Sequence, residues 1–290
     1  MLSSTTLAQA ELLSKKLPDD FARKVLDGSL GTAWDSANPI RANLFAAGMR
    51  ELVTYVLHTL APDASVEDCA WYASNRDAQK KQAEKAGVVF RDAPTRVNRM
   101  VYATQGGLSD KYLDELGVDT KGAHKKLRTV VDELSKYTHV RPGSLLEGDA
   151  VVSNFMAEAL EAMIRFYDVI FDVREAVASA VSEANGEAAD SALTDSIASE
   201  LDELSTHTAV NEVIADDIRV TRMGSTLVEF EVRGTVYVQL NYGSRSDFNR
   251  GDGASMSDKY PFSLTMAASV ADLRPYATSR VSVDNSSFFE

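Results

Sequence analysis

Apolar residues recur with two different periods in this chain of 290 residues, and the change of period constrains the fold more than any other feature. Up to about residue 204 the apolar positions fall three and four residues apart, which is typical of amphipathic helices. From Val228 to Tyr242 they alternate strictly, which is typical of a half-buried strand. Helices first and strands last predict an α+β fold with segregated layers. We expect a mainly helical bundle over residues 1–208 and a small antiparallel β-sheet domain over residues 209–290.

Turn signals divide the two parts into elements. Asn38-Pro39 and Pro62 bracket one helical run, Gly106-Gly107 ends another, and the longest run contains neither proline nor glycine. Residues 64–95 are mixed and polar, which predicts a long connection with one helix. The predicted helices span residues 40–60, 96–105, 122–140, 149–184 and about 188–204, and the predicted strands span residues 218–223, 228–242, 260–267 and 280–283.

The alternating segment 228–242 contains a glycine, Gly234, that is in phase with the apolar positions. Two alternatives follow from it. Either two strands meet at Arg233-Gly234, or one long strand bends there.

Composition excludes several classes of protein. Hydrophobic residues make up 44% and charged residues 25% of the chain, as in ordinary globular proteins. No apolar run approaches the ~18–20 residues that a membrane-spanning helix needs, and the first residues lack the layout of a secretory signal. A single cysteine, Cys69, excludes an internal disulfide. We therefore expect a cytoplasmic protein with no membrane contact, no metal and no cofactor.

Charge is distributed unevenly along the chain. Residues 1–145 carry 20 Lys and Arg against 18 Asp and Glu, whereas residues 146–217 carry 2 against 17. Because a net acidic chain repels nucleic acid on average, any such contact must come from a local basic surface. The best candidate is the stretch 76–99, in which we expect nucleic-acid contacts at Lys80, Lys81, Arg91, Arg96 and Arg99. The alternative is that this stretch is a solvated basic loop without a ligand.

Polar residues on the predicted helix 122–140 point to His139 as a candidate general acid or base. Ser135 and His139 are one turn apart, so the imidazole can bond the hydroxyl, whereas Arg128 lies roughly 16 Å away along the axis. The dipole at the end of the helix favours the protonated imidazolium. A histidine that changes charge near neutral pH suits proton transfer. The alternative is a histidine that closes the helix end by bonding a carbonyl.

The loop after the longest strand holds three carboxylates, Asp247, Asp252 and Asp258. Three carboxylates in a loop with glycine can hold a divalent cation, but their spacing fits no calcium-loop pattern. Turn formation explains them equally well.

Four segments, in the expected order, resemble a bacterial family known as predicted pPIWI-associating nucleases. The resemblance implies a role in defence against phage or plasmids, beside a PIWI-like protein. It does not place catalytic residues on this sequence. The segments are NPIRANLFAAGMRELVTYVLHTLAP (38–62), RVNRMVYATQGGLSDKYLDELGVD (96–119), ELSKYTHVRPG (133–143) and VQLNYGSRSDFNRGDGASMSDKYPF (238–262).

The segment LSKYTHV (134–140) also resembles, more loosely, the HEPN-type helical ribonuclease domains, which carry an arginine a few residues before a histidine and usually act as dimers. Here Ser135 or Lys136 stands where the arginine would be, and lysine lacks the planar fork that arginine offers to a phosphate. With Arg50 in that place instead, the resemblance implies that Arg50 binds phosphate and His139 moves the proton. Glu51 would then orient His139.

These features predict a component of a bacterial anti-phage or anti-plasmid defence system that acts on nucleic acid, with nuclease activity in the region 38–145 as the expected chemistry. The alternative is a non-catalytic adaptor that recognises a partner through its helical domain and docks through its β module. The expected partners are nucleic acid, a PIWI-like or other defence protein, and a second copy of the chain. The candidate catalytic residues are His139, Arg50, Glu51 and Lys136.

Overall fold

The computed structural model describes residues 4–184, 197, 200–201, 204–205 and 207–289. The chain divides into two compact units, Met1–Val173 and Arg174–Glu290. The domain boundary near residue 208 stays a prediction. Most of the predicted helix 188–204 lies outside the described residues.

Nine helices lie in the described chain before residue 185. Several begin with a side-chain cap: Asp19, Thr95 and Ser109 each accept a hydrogen bond from a backbone N–H in the first turn of the helix that follows. None of the helices in the described ranges is both long and apolar enough to cross a bilayer. The nine helices are α1 Ser4–Lys16, α2 Asp20–Trp34, α3 Arg41–Leu60, α4 Asp63–Glu67, α5 Ala70–Ala86, α6 Arg96–Gln105, α7 Asp110–Glu115, α8 Thr120–Tyr137 and α9 Asp149–Ala184.

Helix α3 is central to the first unit, since it packs against α2, α6 and α8. Its buried side chains include Phe45, Met49 and Leu52, which are three and four residues apart and form one apolar stripe. They belong to a core cluster that also takes in α8 and the first part of α9. Full burial of each such side chain contributes about 1.5–3 kcal/mol. This core therefore fixes the helices between which the candidate site lies.

The predicted helices agree with the structure where apolar periodicity is strong. Helix α6 spans Arg96–Gln105 and α9 spans Asp149–Ala184, as predicted. The predicted connection 64–95 contains two helices, α4 and α5, rather than one. Tyr72 is the residue of α5 that is buried, so this helix shows no apolar stripe in the sequence. Helix α8 ends at Tyr137 rather than at residue 140.

The described part of the second unit contains four strands in one antiparallel sheet of order β1-β2-β3-β4. One face of β2 and β3 is buried, with alternate side chains such as Phe230, Val232 and Leu264 almost inaccessible. The predicted α+β fold is confirmed. The strands are β1 His207–Met223, β2 Leu227–Tyr242, β3 Ala254–Ser269 and β4 Asp272–Val283, with a short helix α10, Arg245–Arg250, between β2 and β3 and a 3-10 turn, Ser286–Phe289, after β4.

Strand β2 is continuous, which decides between the two alternatives for Gly234. Gly234 pairs with Ala215 on β1 and with Phe262 on β3. A Cβ atom at this position would lie 2.0 Å from the carbonyl oxygen of Ile214 and 2.7 Å from the Phe262 ring. The register of β1 shifts between Ala215 and Asp217. The close approach of a bulged neighbour and an aromatic ring therefore requires glycine.

Candidate functional site

The connection between α8 and α9 is held in place by one buried side chain. Asn43, in the first turn of α3, is 2% exposed. Its Nδ2 donates to the carbonyl oxygen of Tyr137 at 2.8 Å and to that of Ser144 at 2.9 Å. Tyr137 is the last residue of α8, so these two hydrogen bonds fix both ends of residues 138–144. We call residues 138–144 the clamped loop.

Ser144 organises the clamped loop from within. Its hydroxyl donates to the carbonyl oxygen of His139 at 2.7 Å and accepts from the backbone N–H of Arg141 at 2.9 Å. Its own N–H donates to the carbonyl oxygen of Arg141 at 2.9 Å. The backbone on which His139 and Arg141 stand is therefore fixed by hydrogen bonds.

The side chains of His139 and Arg141 are both exposed. Within the part of the chain that the structure describes, neither side chain forms an ion pair or a hydrogen bond with the protein. An exposed imidazole can exchange a proton with a ligand, and a free guanidinium presents the fork of donors that matches a phosphate. The two Cα atoms are at most about 7 Å apart, because they are two residues apart in the chain. One phosphate can therefore contact both side chains.

The predicted relation between Ser135 and His139 is wrong. Helix α8 ends at Tyr137, with Thr138 as its C-cap, so His139 lies beyond the helix rather than in its last turn. The hydroxyl of Ser135 donates instead to the carbonyl oxygen of Val131 at 2.7 Å. The alternative of a carbonyl bond from the His139 ring is also absent from the described contacts.

The other three catalytic candidates form surface ion pairs with nearby residues. Arg50 Nη2 donates to Oε1 of the adjacent Glu51 at 2.7 Å, and Lys136 Nζ donates to Oε2 of Glu133 at 2.7 Å. Arg50 lies two turns after Asn43, about 10 Å along the axis of α3. Among the described contacts, none joins Arg50 or Glu51 to His139. The catalytic roles of Arg50, Glu51 and Lys136 stay predictions.

The Arg99 side chain is buried and has structural partners, so it does not belong to an exposed basic surface. Its side chain is buried, and its guanidinium donates to the carbonyl oxygen of Ala61 at 2.5 Å and forms an ion pair with Asp63. These bonds tie α6 to the segment that joins α3 and α4. Because the guanidinium is buried and paired, we leave Arg99 out of the nucleic-acid surface.

The other basic candidates lie on α5, on the segment that follows it and at the start of α6. Lys80, Lys81 and Arg91 are exposed and Arg96 is half-buried, and none of the four has an ion-pair partner among the residues that the structure describes. We call Lys80, Lys81, Arg91 and Arg96 the basic surface.

Two contacts hold the segment after α5 and the first turn of α6 against α5. Arg76 forms an ion pair with Asp92, which lowers the pKa of the Asp92 carboxyl, and Gln79 Nε2 donates to Asn98 Oδ1 at 3.2 Å. The charge of Arg76 is thereby balanced by Asp92. The four members of the basic surface form no ion pair among the described residues, so their charge is available to a ligand.

A histidine beside the family-like segment 96–119 has a structural role. His124 Nε2 lies 3.0 Å from Thr104 Oγ1, and burial lowers the pKa of His124 to about 4. Its ring is therefore neutral near pH 7 and contacts α6 from α8 without adding charge.

The three carboxylates after β2 each have a structural partner. Asp247 forms a capping box with the N-cap residue Ser244 at the start of α10 and pairs with Arg250 at 2.5 Å. Asp252 lies 3.6 Å from the same arginine. Asp258 accepts from the Tyr260 hydroxyl at 2.7 Å. The described residues contain no group of three or more His, Cys, Asp or Glu that could hold a metal ion. Turn formation accounts for Asp247 and Asp252.

Two family models match the chain, and both are described as predicted pPIWI-associating nuclease. One matches residues 14–163, more than half of the chain, and the other matches residues 170–289. The chain therefore belongs to the family of predicted pPIWI-associating nucleases, which confirms the resemblance. The similarity to HEPN domains stays a prediction. Searches of curated proteins and of solved structures find no match.

Asn43, Ser144 and Arg141 were not apparent as site residues from the sequence. The one local signal is Pro142-Gly143, a turn pair next to His139. It marks a loop, but it does not show that a side chain of α3 holds that loop.

Proposed function

We propose that this protein is the nuclease component of an anti-phage or anti-plasmid defence system and that the clamped loop is its catalytic element. Family membership supports the nuclease class and a PIWI-like partner. One observation carries the proposal. Asn43 and Ser144 fix the backbone around His139 and Arg141 while both side chains stay exposed. A loop that is held so firmly and yet keeps its histidine and arginine unpaired is suited to a charged ligand.

Phosphodiester cleavage needs proton transfer and a counter-charge, and the clamped loop offers one group for each. The nucleophile loses a proton as its oxygen attacks phosphorus, and the leaving oxygen gains one as its P–O bond breaks. In this proposal His139 carries the proton in one of the two transfers. Arg141 binds the non-bridging phosphate oxygens, whose charge is stabilised by a fixed donor. Arg141 thus takes the place that the HEPN resemblance assigned to Arg50.

The basic surface supplies affinity for the nucleic-acid backbone in this proposal. Arg96→Glu together with Lys80→Glu should weaken binding and flatten its salt dependence by roughly one unit of log–log slope per lost phosphate contact. Arg245→Glu, the same change at an exposed arginine on α10, is the control. Fluorescence anisotropy of labelled RNA and DNA at several salt concentrations measures both slopes. An unchanged slope would mean that the surface is only solvated.

Phage protection tests the proposal in cells that carry the intact defence system. His139→Ala and Arg141→Ala should both abolish protection at wild-type protein levels. Neither should change the free energy of unfolding by more than about 0.5 kcal/mol, because both side chains are exposed and unpaired. Lys125→Ala, at another exposed basic residue without a described partner, should protect normally. A folded His139→Ala protein that still protects would overturn the proposal in favour of the adaptor alternative.

A further inference from the structure

A cavity of about 480 Å³ opens in the first unit between α1, α2, α3 and α9. Ligand sites for small molecules have volumes of this order. Leu7 and Val152 form apolar walls of the cavity. Trp34 also lines it, and 48% of the Trp34 surface is exposed. A large aromatic ring left half in solvent beside apolar walls offers a flat surface on which another ring can stack.

The polar groups of this cavity are an arginine and a carboxylate. Arg41 is largely buried and forms an ion pair with Asp149, the first residue of α9. The Asp149 side chain is exposed. The Arg41 guanidinium lowers the pKa of the Asp149 carboxyl. Asp149 is therefore ionised near pH 7 and can act only as a hydrogen-bond acceptor. Arg41 occupies one acceptor position on Oδ1, and a carboxylate has about four such positions on its two oxygens, so both oxygens can still accept a hydrogen bond from a ligand.

We propose that this cavity binds a guanine base of single-stranded nucleic acid. The base stacks on Trp34, as unpaired bases do on aromatic side chains. Guanine presents two adjacent donors, N1–H and N2–H, to the Asp149 carboxylate. The other three bases of RNA lack such a pair on their pairing edge. The inference rests on the proposed function and deepens it, since it names a base that the nuclease would select.

The chain connects this cavity to the clamped loop. Arg41, which lines the cavity, and Asn43, which holds the loop, lie in the same turn of α3. Asp149 follows Ser144 by five residues, which span at most about 18 Å. In this inference a strand with its base in the cavity continues from there towards the clamped loop.

Tryptophan emission of the whole 290-residue chain tests the inference without any turnover. Titration with guanosine 5′-monophosphate should quench the emission saturably, with an affinity at least about tenfold higher than for the adenosine, cytidine or uridine monophosphate. The quench should vanish in Trp34→Phe. Asp149→Asn should weaken binding about tenfold or more, because a hydrogen bond to a charged acceptor is lost. Asp132→Asn, at an exposed carboxylate on α8, is the matched control.

Three outcomes would overturn the inference: no saturable quench, equal quenching by all four nucleotides, or unchanged affinity in Asp149→Asn. His139→Ala should bind guanosine monophosphate like the wild type. If the protein binds guanosine monophosphate but His139→Ala still protects cells, the guanine site is supported and the proposed nuclease is overturned. If protection depends on His139 but the protein does not bind guanosine monophosphate, the nuclease is supported and the guanine site is overturned.

Discussion

Replacing Asn43 by aspartate should open the clamped loop, although the two side chains have nearly the same shape. The Nδ2 group of Asn43 donates to two carbonyl oxygens, those of Tyr137 and Ser144. Aspartate places an acceptor against both of them. Two buried hydrogen bonds are thereby replaced by two repulsive contacts.

The two lost hydrogen bonds set the magnitude of this effect. A buried acceptor without a donor costs about 1–3 kcal/mol, so two of them predict a loss of about 2–6 kcal/mol in the free energy of unfolding. Asn43→Ala loses the same bonds without adding a charge and should therefore be less destabilised than Asn43→Asp at neutral pH.

The Asn43→Asp deficit should depend on pH. Burial against two carbonyls raises the pKa of a carboxyl above its unfolded value of about 3.9. The folded variant then binds a proton at higher pH than the unfolded chain, and the protonated carboxyl can donate one hydrogen bond. The deficit relative to the wild type should therefore shrink as the pH falls from about 8 to about 5.

Urea denaturation at both pH values measures these differences. Asn38→Asp is the matched control, because Asn38 Oδ1 accepts from the Ile40 N–H at 3.0 Å and aspartate keeps that acceptor. Its stability should stay within about 0.5 kcal/mol of the wild type. An Asn43→Asp protein that is as stable as the wild type, or more stable than Asn43→Ala at neutral pH, would contradict this role of Asn43.

Three further predictions concern stability. Burial lowers the pKa of His124 from 6.5 to about 4, so the unfolded chain binds this proton at a higher pH than the folded chain does. The free energy of unfolding should therefore fall by about 3 kcal/mol as the pH falls through this range. Urea titrations of His124→Gln should lack that loss. Gly234→Ala should lower the free energy of unfolding by about 1–3 kcal/mol because of the close contacts at that position. Gly28→Ala in α2, where a Cβ atom would have no neighbour within 4 Å, should raise it by roughly 0.5–1 kcal/mol. Calorimetry compares the two melting temperatures. Arg99→Ala should cost about 1–3 kcal/mol because it leaves the carbonyl oxygen of the buried Ala61 without its donor. Arg96→Ala should leave the melting temperature unchanged in the same scans.

The helices could be predicted where burial imposes a period. Helix α9 has apolar residues along its whole length and no proline or glycine, so both of its ends follow from the sequence. Helix α5 could not be bounded, because most of its residues are exposed and its sequence carries no stripe.

The strands are longer than predicted for the same reason. Strand β1 begins at His207 rather than at Ile218, and its first half alternates little because it lies at the edge of the sheet with much of its surface exposed. Strand β3 begins at Ala254, ahead of the buried residues that start at Tyr260. Backbone pairing with β2 continues beyond the buried face, and periodicity does not report such pairing.

The candidate site could be predicted only in part. His139 is visible in the sequence because an exposed histidine in a family-like segment has few structural uses. Its position beyond the helix was missed, because no breaker precedes Pro142. The bonds from Asn43 join residues 94 and 101 positions apart, and a contact of that range leaves no local pattern.

Cleavage of nucleic acid by the purified intact system tests whether His139 is the proton-transfer group of a nuclease. End-labelled RNA and DNA are incubated under single-turnover conditions with the wild type, His139→Ala and Lys125→Ala, which removes an exposed lysine without a described partner. His139→Ala should keep its free energy of unfolding and lose about 10²–10⁴ in rate, the usual contribution of a positioned proton-transfer group. Lys125→Ala should cleave at close to the wild-type rate. A folded His139→Ala protein that cleaves as fast as the wild type would contradict the catalytic role of His139.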